Sequence, residues 1–247
     1  MTHPDRQTVL VTGGSRGLGF AIVQDLLAAG YRVGTCSRQM SQPLQALLAQ
    51  SQDLYWEECT IGEEPAEERF FRAFLEWSGV PAYYALINNA GITGEGALAT
   101  LPTSELARTI DVNLLAAVRI SRLSVQTFLE RAGPARIVNI SSVLAVRGGS
   151  GLCAYSVSKA GMDGLTRSLA REVGRWEITV NSINPGYLET EMTATLDAGR
   201  REGIVRRTPL KRMGTVEDVT PLVRFLLSPG AGYITAQSIM VDGGIST

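Results

Sequence analysis

Apolar positions in this chain recur in two rhythms, and the change from one to the other marks the elements. "TVLV" (Thr8 to Val11) is a short continuous apolar run of strand length, after which Phe20, Ile22, Val23, Leu26 and Leu27 return at helical spacing until Gly30. "YRVGTC" (Tyr31 to Cys36) is a second strand, and a weaker one spans Leu54 to Glu57 between the amphipathic stretches "LQALLAQ" and "AEERFFRAFLEW". "ALI" (Ala85 to Ile87) runs into "NNAG", and a long helical region covers Thr103 to Arg131. The strand "RIVNI", a helix from about Tyr155 to Val173 and the strand "ITVNSI" come next. A polar, Arg-rich segment from Glu189 to Met213 precedes a helix "VEDVTPLVRFLL" and a last strand near "QSIMV".

Strand-helix-strand units repeated in this way predict a parallel sheet with helices on both faces. The expected fold is α/β: a single-domain, Rossmann-type, doubly wound sheet over residues 1–247, with a polar stretch at 1–6. Such sheets bind ligands beyond the carboxyl ends of their strands. Gly13 to Gly19, Ser37-Arg38, "NNAG", Ser141-Ser142 and Pro185-Gly186 each follow a predicted strand directly.

With 45% hydrophobic residues over 247 positions, the chain can bury a large core. "MTHPDRQ" lacks the basic-then-apolar pattern of a signal peptide and no apolar run reaches membrane-spanning length, which predicts a soluble, cytoplasmic protein. A net charge of -1 argues against nucleic-acid binding by the whole surface. Cys36, Cys59 and Cys153 lack C-x-x-C spacing, so buried free thiols are expected rather than disulfides or a metal site. Of the 23 basic residues only Lys159 and Lys211 are lysine, and the only histidine is His3.

That histidine decides between two readings of "VTGGSRGLG" (Val11 to Gly19). Gly13-x-Ser15-x-Gly17 matches a hydrolase nucleophile elbow, which needs a histidine base downstream of the serine; none follows Ser15. The other reading is a turn of Gly13, Ser15, Arg16, Gly17, Leu18 and Gly19 that opens a helix and points free N–H groups at a dinucleotide phosphate. A binder of the unphosphorylated dinucleotide usually carries an acid after the second strand; here the strand ends in Ser37-Arg38, which with Arg16 suits a 2′-phosphate. NADP(H) is therefore expected over NAD(H).

Tyr155 and Lys159 lie four apart and share a helix face. An ammonium beside a phenol favours phenolate and would lower its pKa towards the working range of an acid or base. Ser141 or Ser142 could be brought beside Tyr155 to donate to an oxygen that gains negative charge, and spacing separates the two poorly. Asn113 is a polar residue in an apolar helical run, which suits a satisfied core position as well as a site.

"TGGSRGLG", "NNAG", the Asn113 context, "NISS", "YSVSK" and "NPGYLET" stand in the order and spacing of the short-chain dehydrogenase/reductase family, which the chain resembles from about Gln7 to Gly244. The resemblance implies a tetrad of Asn113, Ser142, Tyr155 and Lys159, with the second serine of "NISS" as the catalytic one and Asn113 holding a water. It implies that Asn89, Ala90 and Gly91 line the cofactor, that Pro185, Gly186, Leu188 and Thr190 lie at its nicotinamide half, and that Lys159 binds its ribose. Cys59-Thr60 stands where an Asp- or Asn-Val pair often meets the adenine, which puts side-chain contact there in doubt; Tyr84 and Ala145 are further departures. "GYLETEMT", "PLKRMGTVEDV" and "YITAQSIMVDGG" are most similar to the 3-oxoacyl-(acyl-carrier-protein) reductases.

The implied reaction is reduction of a 3-oxoacyl thioester by NADPH, in fatty acid or polyketide synthesis, by a dimer or tetramer packed through the Thr103 to Arg131 and Tyr155 to Val173 helices. Alternatives are an NADP-dependent oxidoreductase of another ketone or alcohol, with Arg147 and Tyr187 setting selectivity, and a non-catalytic NADP-binding sensor or scaffold. "GRREGIVRRTPLKR" (Gly199 to Arg212) carries six positive groups against Glu202 alone, within the expected substrate lid 189–213. It is either a solvated basic face or a surface for an acidic carrier protein or the phosphates of CoA.

Overall fold

Seven strands form one parallel sheet: β1 (Thr8–Thr12), β2 (Arg32–Ser37), β3 (Leu54–Glu58), β4 (Tyr83–Asn88), β5 (Ala135–Ile140), β6 (Ile178–Pro185) and β7 (Ser238–Val241). These elements come from a computed structural model that describes residues 6–194 and 196–247; His3 and the rest of residues 1–5 lie outside them. The strand order is β3-β2-β1-β4-β5-β6-β7, so the direction of winding reverses between β1 and β4 and opens a crevice at their carboxyl ends.

Each strand is apolar on both faces because helices cover both. The helices are α1 (Gly17–Ala28), α2 (Gln42–Gln50), α3 (Glu64–Ser78), α4 (Thr103–Ile110), α5 (Ala116–Arg131), α6 (Leu144–Arg147), α7 (Cys153–Val173), α8 (Ala198–Arg207) and α9 (Thr220–Leu227). Val9, Val11, Val33 and Ile87 pack with Leu26 of α1 and with Val223 and Leu226 of α9. Leu10, Leu86, Ile137 and Val180 point the other way, onto Phe70 and Phe74 of α3, Ile120 and Phe128 of α5, and Val173 of α7. The period-2 alternation of strand side chains thus divides the core into two layers.

Three local features differ from the pattern reading. The Thr103 to Arg131 helix widens at Asp111–Leu115 into a π-helical turn, where the N–H of Ala116 reaches back five residues to the Asp111 carbonyl. A single inserted residue leaves the hydrophobic period almost unchanged, and such turns mark functional positions often. The Val216 to Leu227 segment is a 3-10 turn, Val216–Asp218, followed by α9, because Pro221 cannot donate to a continuous helix. The Arg-rich segment contains α8, whose N-terminus is capped by Asp197 accepting from the Arg200 N–H and whose last turn holds Arg206 and Arg207. Capping and a favourable helix dipole support a helix there despite its polar composition. No helix of the described residues is long and apolar enough to cross a membrane.

Candidate active site

The turn from β1 into α1 is shaped by backbone proximity. Gly13 has φ +74° and a Cβ on it would lie 2.9 Å from the Ala90 Cα; a Cβ on Gly19 would stand 2.2 Å from the Gly13 carbonyl oxygen and 2.4 Å from Asn89 Nδ2. Only glycine closes this turn. No side chain caps α1, so its first N–H groups remain free to face an anion. Thr12 Oγ1 accepts from the N–H groups of both Asn89 and Ala90 at 3.0 Å, and Asn89 Nδ2 donates to the Thr12 and Gly13 carbonyls. "NNAG" is therefore stitched to the glycine turn, and the donor set fits the pyrophosphate of a dinucleotide.

Beyond β2, Arg38 is exposed while Ser37 is buried and engaged: its hydroxyl accepts from the Trp56 indole N–H at 2.8 Å and donates to the Gln39 carbonyl at 2.8 Å. Arg16 pairs instead with Glu191, across the crevice, at 3.1 Å. Both side chains are about two-thirds exposed, so this pair is worth at most about 1 kcal/mol and yields to a phosphate. Cys59 is 2% exposed and its N–H donates to the Ser37 carbonyl. Its side chain has almost no surface to offer an adenine, in keeping with the doubt raised by the departure at Cys59-Thr60, and Thr60 is the half-buried member of the pair. All three cysteines are free; Cys36 and Cys59 are buried, whereas Cys153 is half-buried.

The four tetrad residues come together at the ends of β4 and β5. A Cβ placed on Gly91 would lie 3.3 Å from Asn113 Oδ1 and 3.5 Å from Lys159 Nζ, which puts "NNAG", the π-helical turn and α7 at one point. The close approach of α7 to that turn is allowed by Gly161, where a Cβ would meet Leu114 at 2.6 Å. Asn113 is fully buried; its Oδ1 accepts from the Ile92 N–H at 2.8 Å, and its Nδ2 donates to the Ile92 carbonyl at 2.9 Å and to Ser158 Oγ at 3.0 Å.

The two serines separate clearly. Ser141 Oγ donates to the Lys159 carbonyl at 3.0 Å and is buried, so it ties β5 to α7. Ser142 Oγ accepts from the Leu144 N–H at 3.2 Å and interacts with Tyr155. Half-buried Tyr155 has its pKa raised, chiefly by burial, with the Ser142 hydroxyl pulling it down and Tyr187 pushing it up. Lys159 donates to the Ile140 carbonyl at 2.8 Å, lies 5.8 Å from the Tyr155 ring centroid, and is lowered to about 8 by burial, against which Asp163 acts. In the protein alone, burial thus sets the direction, and the lowering expected of Lys159 on the phenol is not among the causes.

Pro185 and Gly186 end β6 within the site: the Pro185 carbonyl accepts from the Val143 N–H at 2.9 Å, and the Gly186 N–H donates to Val241 at 3.0 Å. Leu188 bridges to Gly214, and Thr190 lies over the glycine turn, 3.9 Å from where a Gly17 Cβ would stand. Val143, Leu144, Ile204, Met213 and Ile245 form an apolar cluster on which Tyr155 and Tyr187 pack, so α8 closes over the phenol. A cavity of about 540 Å³ is lined by Tyr187, Leu188, Leu210 and Arg212 but by none of the four tetrad residues.

Trp56 and Asp163 lie in no motif, and Thr12, Asn184 and Glu191 stand within "TGGSRGLG", "NPGYLET" and "GYLETEMT" without any sign there of the contacts they make. Each acts by a contact between segments far apart in the chain, and the available signal was only a polar residue inside an otherwise apolar strand, as with Asn184. No cluster of metal-ligating side chains occurs among the described residues.

Residues 13–246 match the family model described as Enoyl-(Acyl carrier protein) reductase. The chain is 35% identical over 239 residues to the 3-oxoacyl-[acyl-carrier-protein] reductase MabA of Mycobacterium tuberculosis, covering 97% of this chain and 92% of that one. Among solved structures, an actinorhodin polyketide ketoreductase with NADPH superposes with a TM-score of 0.91 at 31% identity, covering 100% of both chains. A 4-hydroxyisoleucine dehydrogenase complexed with NADH gives a TM-score of 0.92 at 27% identity, covering 97% of this chain and 98% of that one.

Proposed function

Because this chain belongs to the short-chain dehydrogenase/reductase family and is an oxidoreductase, we propose that it reduces the ketone of a 3-oxoacyl thioester to the 3-hydroxyacyl thioester, using NADPH. The observation that carries this reading is the pair of hydroxyls, Ser142 and Tyr155, beside one another under α8 and next to the glycine turn. Two donors aimed at one oxygen suit a carbonyl on which negative charge develops. Similarity to MabA, a 3-oxoacyl-[acyl-carrier-protein] reductase, supports the substrate class.

The dinucleotide would be held by the free N–H groups of Gly17, Leu18 and Gly19, by the "NNAG" backbone of Asn89, Ala90 and Gly91, and by Lys159; when bound it supplies the hydride. Arg38, exposed just beyond a strand that carries no acid of its own at its end, supports NADPH over NADH. Tyr155 protonates the carbonyl oxygen. Its raised pKa keeps the phenol protonated at neutral pH, as a proton donor in the reductive direction requires. Ser142 holds the same oxygen. Both N–H bonds of the Asn113 amide are committed to Ile92 and Ser158, so a water in the proton path would rest on its main-chain carbonyl in the π-helical turn. Tyr187 and the α8 cluster shape the acyl site and exclude water from it.

Arg200, Arg201 and Arg212 are neutralised by Asp197, Glu189 and Asp218, whereas Arg206, Arg207 and Lys211 are exposed. This residual positive charge beside the acyl site suits an acidic acyl carrier protein or CoA. The test is NADPH oxidation against a panel of carrier-bound and CoA-bound 3-oxoacyl chains. Tyr155→Phe should lower kcat by roughly 10²- to 10⁴-fold and leave NADPH affinity unchanged. Near-normal turnover in that variant, or no turnover of any 3-oxoacyl thioester by the wild type, would reject the reading.

A further inference from the structure

One helical turn beyond Lys159, on the side away from the crevice, α7 carries a second buried ionisable group. Asp163 is 5% exposed, and only one of its carboxylate oxygens is engaged: Oδ2 accepts from Asn184 Nδ2 at 2.9 Å, while Oδ1 has no partner among the described residues. Asn184, on β6, is itself fully buried. Its amide donates at 3.2 Å to the carbonyl of Ser142 as well, so one side chain joins the carboxylate to the backbone of the proposed catalytic serine.

Lys159 is 3% exposed, and among the described residues its ammonium bonds only the neutral carbonyl of Ile140. A buried cation with no carboxylate on it and a buried carboxylate with no cation on it are each unfavourable in isolation. Here they stand four residues apart on one helix, a spacing that brings Cβ atoms within roughly 6 Å. The other ionisable groups on α7 beyond Asp163 and on the elements packed against it are Arg167, Arg171 and Glu172 on α7, Arg147 on α6, Asp111 on the π-helical turn, Glu105 and Arg108 on α4, Arg119, Arg122, Glu130 and Arg131 on α5, Arg136 on β5 and Arg175 just after α7. None has a resolved effect on the ammonium; Asp163 is the charge that acts on it, and Tyr155 is the remaining titratable neighbour.

We propose that Asp163, fixed by Asn184 against the Ser142 backbone, is a positioning residue whose carboxylate keeps Lys159 charged in its buried site. Burial drives Lys159 towards neutrality at about pH 8, and the carboxylate opposes that drift. With Asp163 in place, the charged form of Lys159 therefore persists to higher pH.

The inference rests on the proposed reaction only for its kinetic half. The direct test uses the fact that the chain has two lysines, Lys159 and Lys211, so that protein labelled with ε-¹³C lysine gives two resonances, assigned with Lys211→Arg. Asp163→Asn and the smaller Asp163→Ser should each lower the Lys159 midpoint by about one to two pH units and leave Lys211 unmoved. The alkaline limb of kcat/KM for reduction should move to lower pH by a similar amount, with NADPH affinity retained. An unmoved Lys159 midpoint in either folded variant, or an equal fall in the surface control Glu202→Gln, overturns the inference. Should neither variant fold, Asn184→Ala, which releases the Asp163 carboxylate from the Ser142 backbone, should still move the Lys159 midpoint, and an unmoved midpoint is equally decisive. A fall in the midpoint without 3-oxoacyl turnover would sink the proposed substrate and leave this inference standing; turnover without the fall does the reverse.

Discussion

Exchanging each serine of "NISS" for alanine separates chemistry from scaffold, because the two hydroxyls face opposite ways. Ser142→Ala removes the donor that shares the substrate oxygen with Tyr155. By analogy with the loss of one oxyanion donor it should lower kcat by roughly 10²- to 10³-fold, or about 2.7–4 kcal/mol of transition-state stabilisation. It also removes the bond that holds the Tyr155 pKa down, so the alkaline limb of the reductive rate should shift to higher pH, the direction opposite to that expected of Asp163→Asn. Ser141→Ala removes one buried hydrogen bond, to the Lys159 carbonyl, which as part of α7 keeps its helical partner. About 1 kcal/mol of stability should be lost, or roughly 2–4 °C in Tm for a chain of this size, with kcat within a few-fold of wild type. Steady-state NADPH oxidation across pH, paired with thermal melts of both variants, makes the comparison. A larger kcat loss in Ser141→Ala than in Ser142→Ala would refute the assignment of roles.

Arg38→Asp should raise KM for NADPH by roughly 10- to 100-fold and leave NADH use little changed, since a carboxylate would face the 2′-phosphate; a wild type that prefers NADH would refute the cofactor choice. Charge reversal at Arg206 and Arg207 together should raise KM for carrier-bound substrate, weaken its salt dependence and spare a small uncharged ketone; equal losses on both substrates would point to damaged packing of α8 instead. Glu67 is 1% exposed and accepts from Arg119 Nε and Nη2 at 2.6 and 2.9 Å and from the Gly62 N–H at 2.8 Å. Glu67→Ala should therefore cost about 2–4 kcal/mol in urea unfolding, less than a wholly buried pair because Arg119 keeps some contact with water.

Much of this protein is local enough to be legible in its residues. The strands read as apolar runs because parallel strands are covered on both faces, and the helices read from their spacing, so the Thr103 to Arg131 and Ile178 strand boundaries fall where the pattern places them. The glycine turn, Tyr155-x-x-x-Lys159 and the acid-free end of β2 are likewise short-range: their meaning depends on residues within a few positions of one another. Tertiary structure decided everything that depends on which distant segments meet. Ser141 and Ser142 are chemically identical neighbours, and only the packing of α7 on β5 commits one to the Lys159 carbonyl and turns the other towards Tyr155. The sequence offers Arg16 to a phosphate but does not show that the fold also brings Glu191 to it, and the burial of the Cys59 side chain depends on what packs around it. Asp163 belongs to no motif, and Asn184 opens "NPGYLET" without any sign there of its buried contacts. Burial turns an ordinary carboxylate and an ordinary amide into the electrostatic surroundings of Lys159, and burial is a property of the assembled chain, since the dielectric around a side chain is set by whatever the rest of the sequence packs against it.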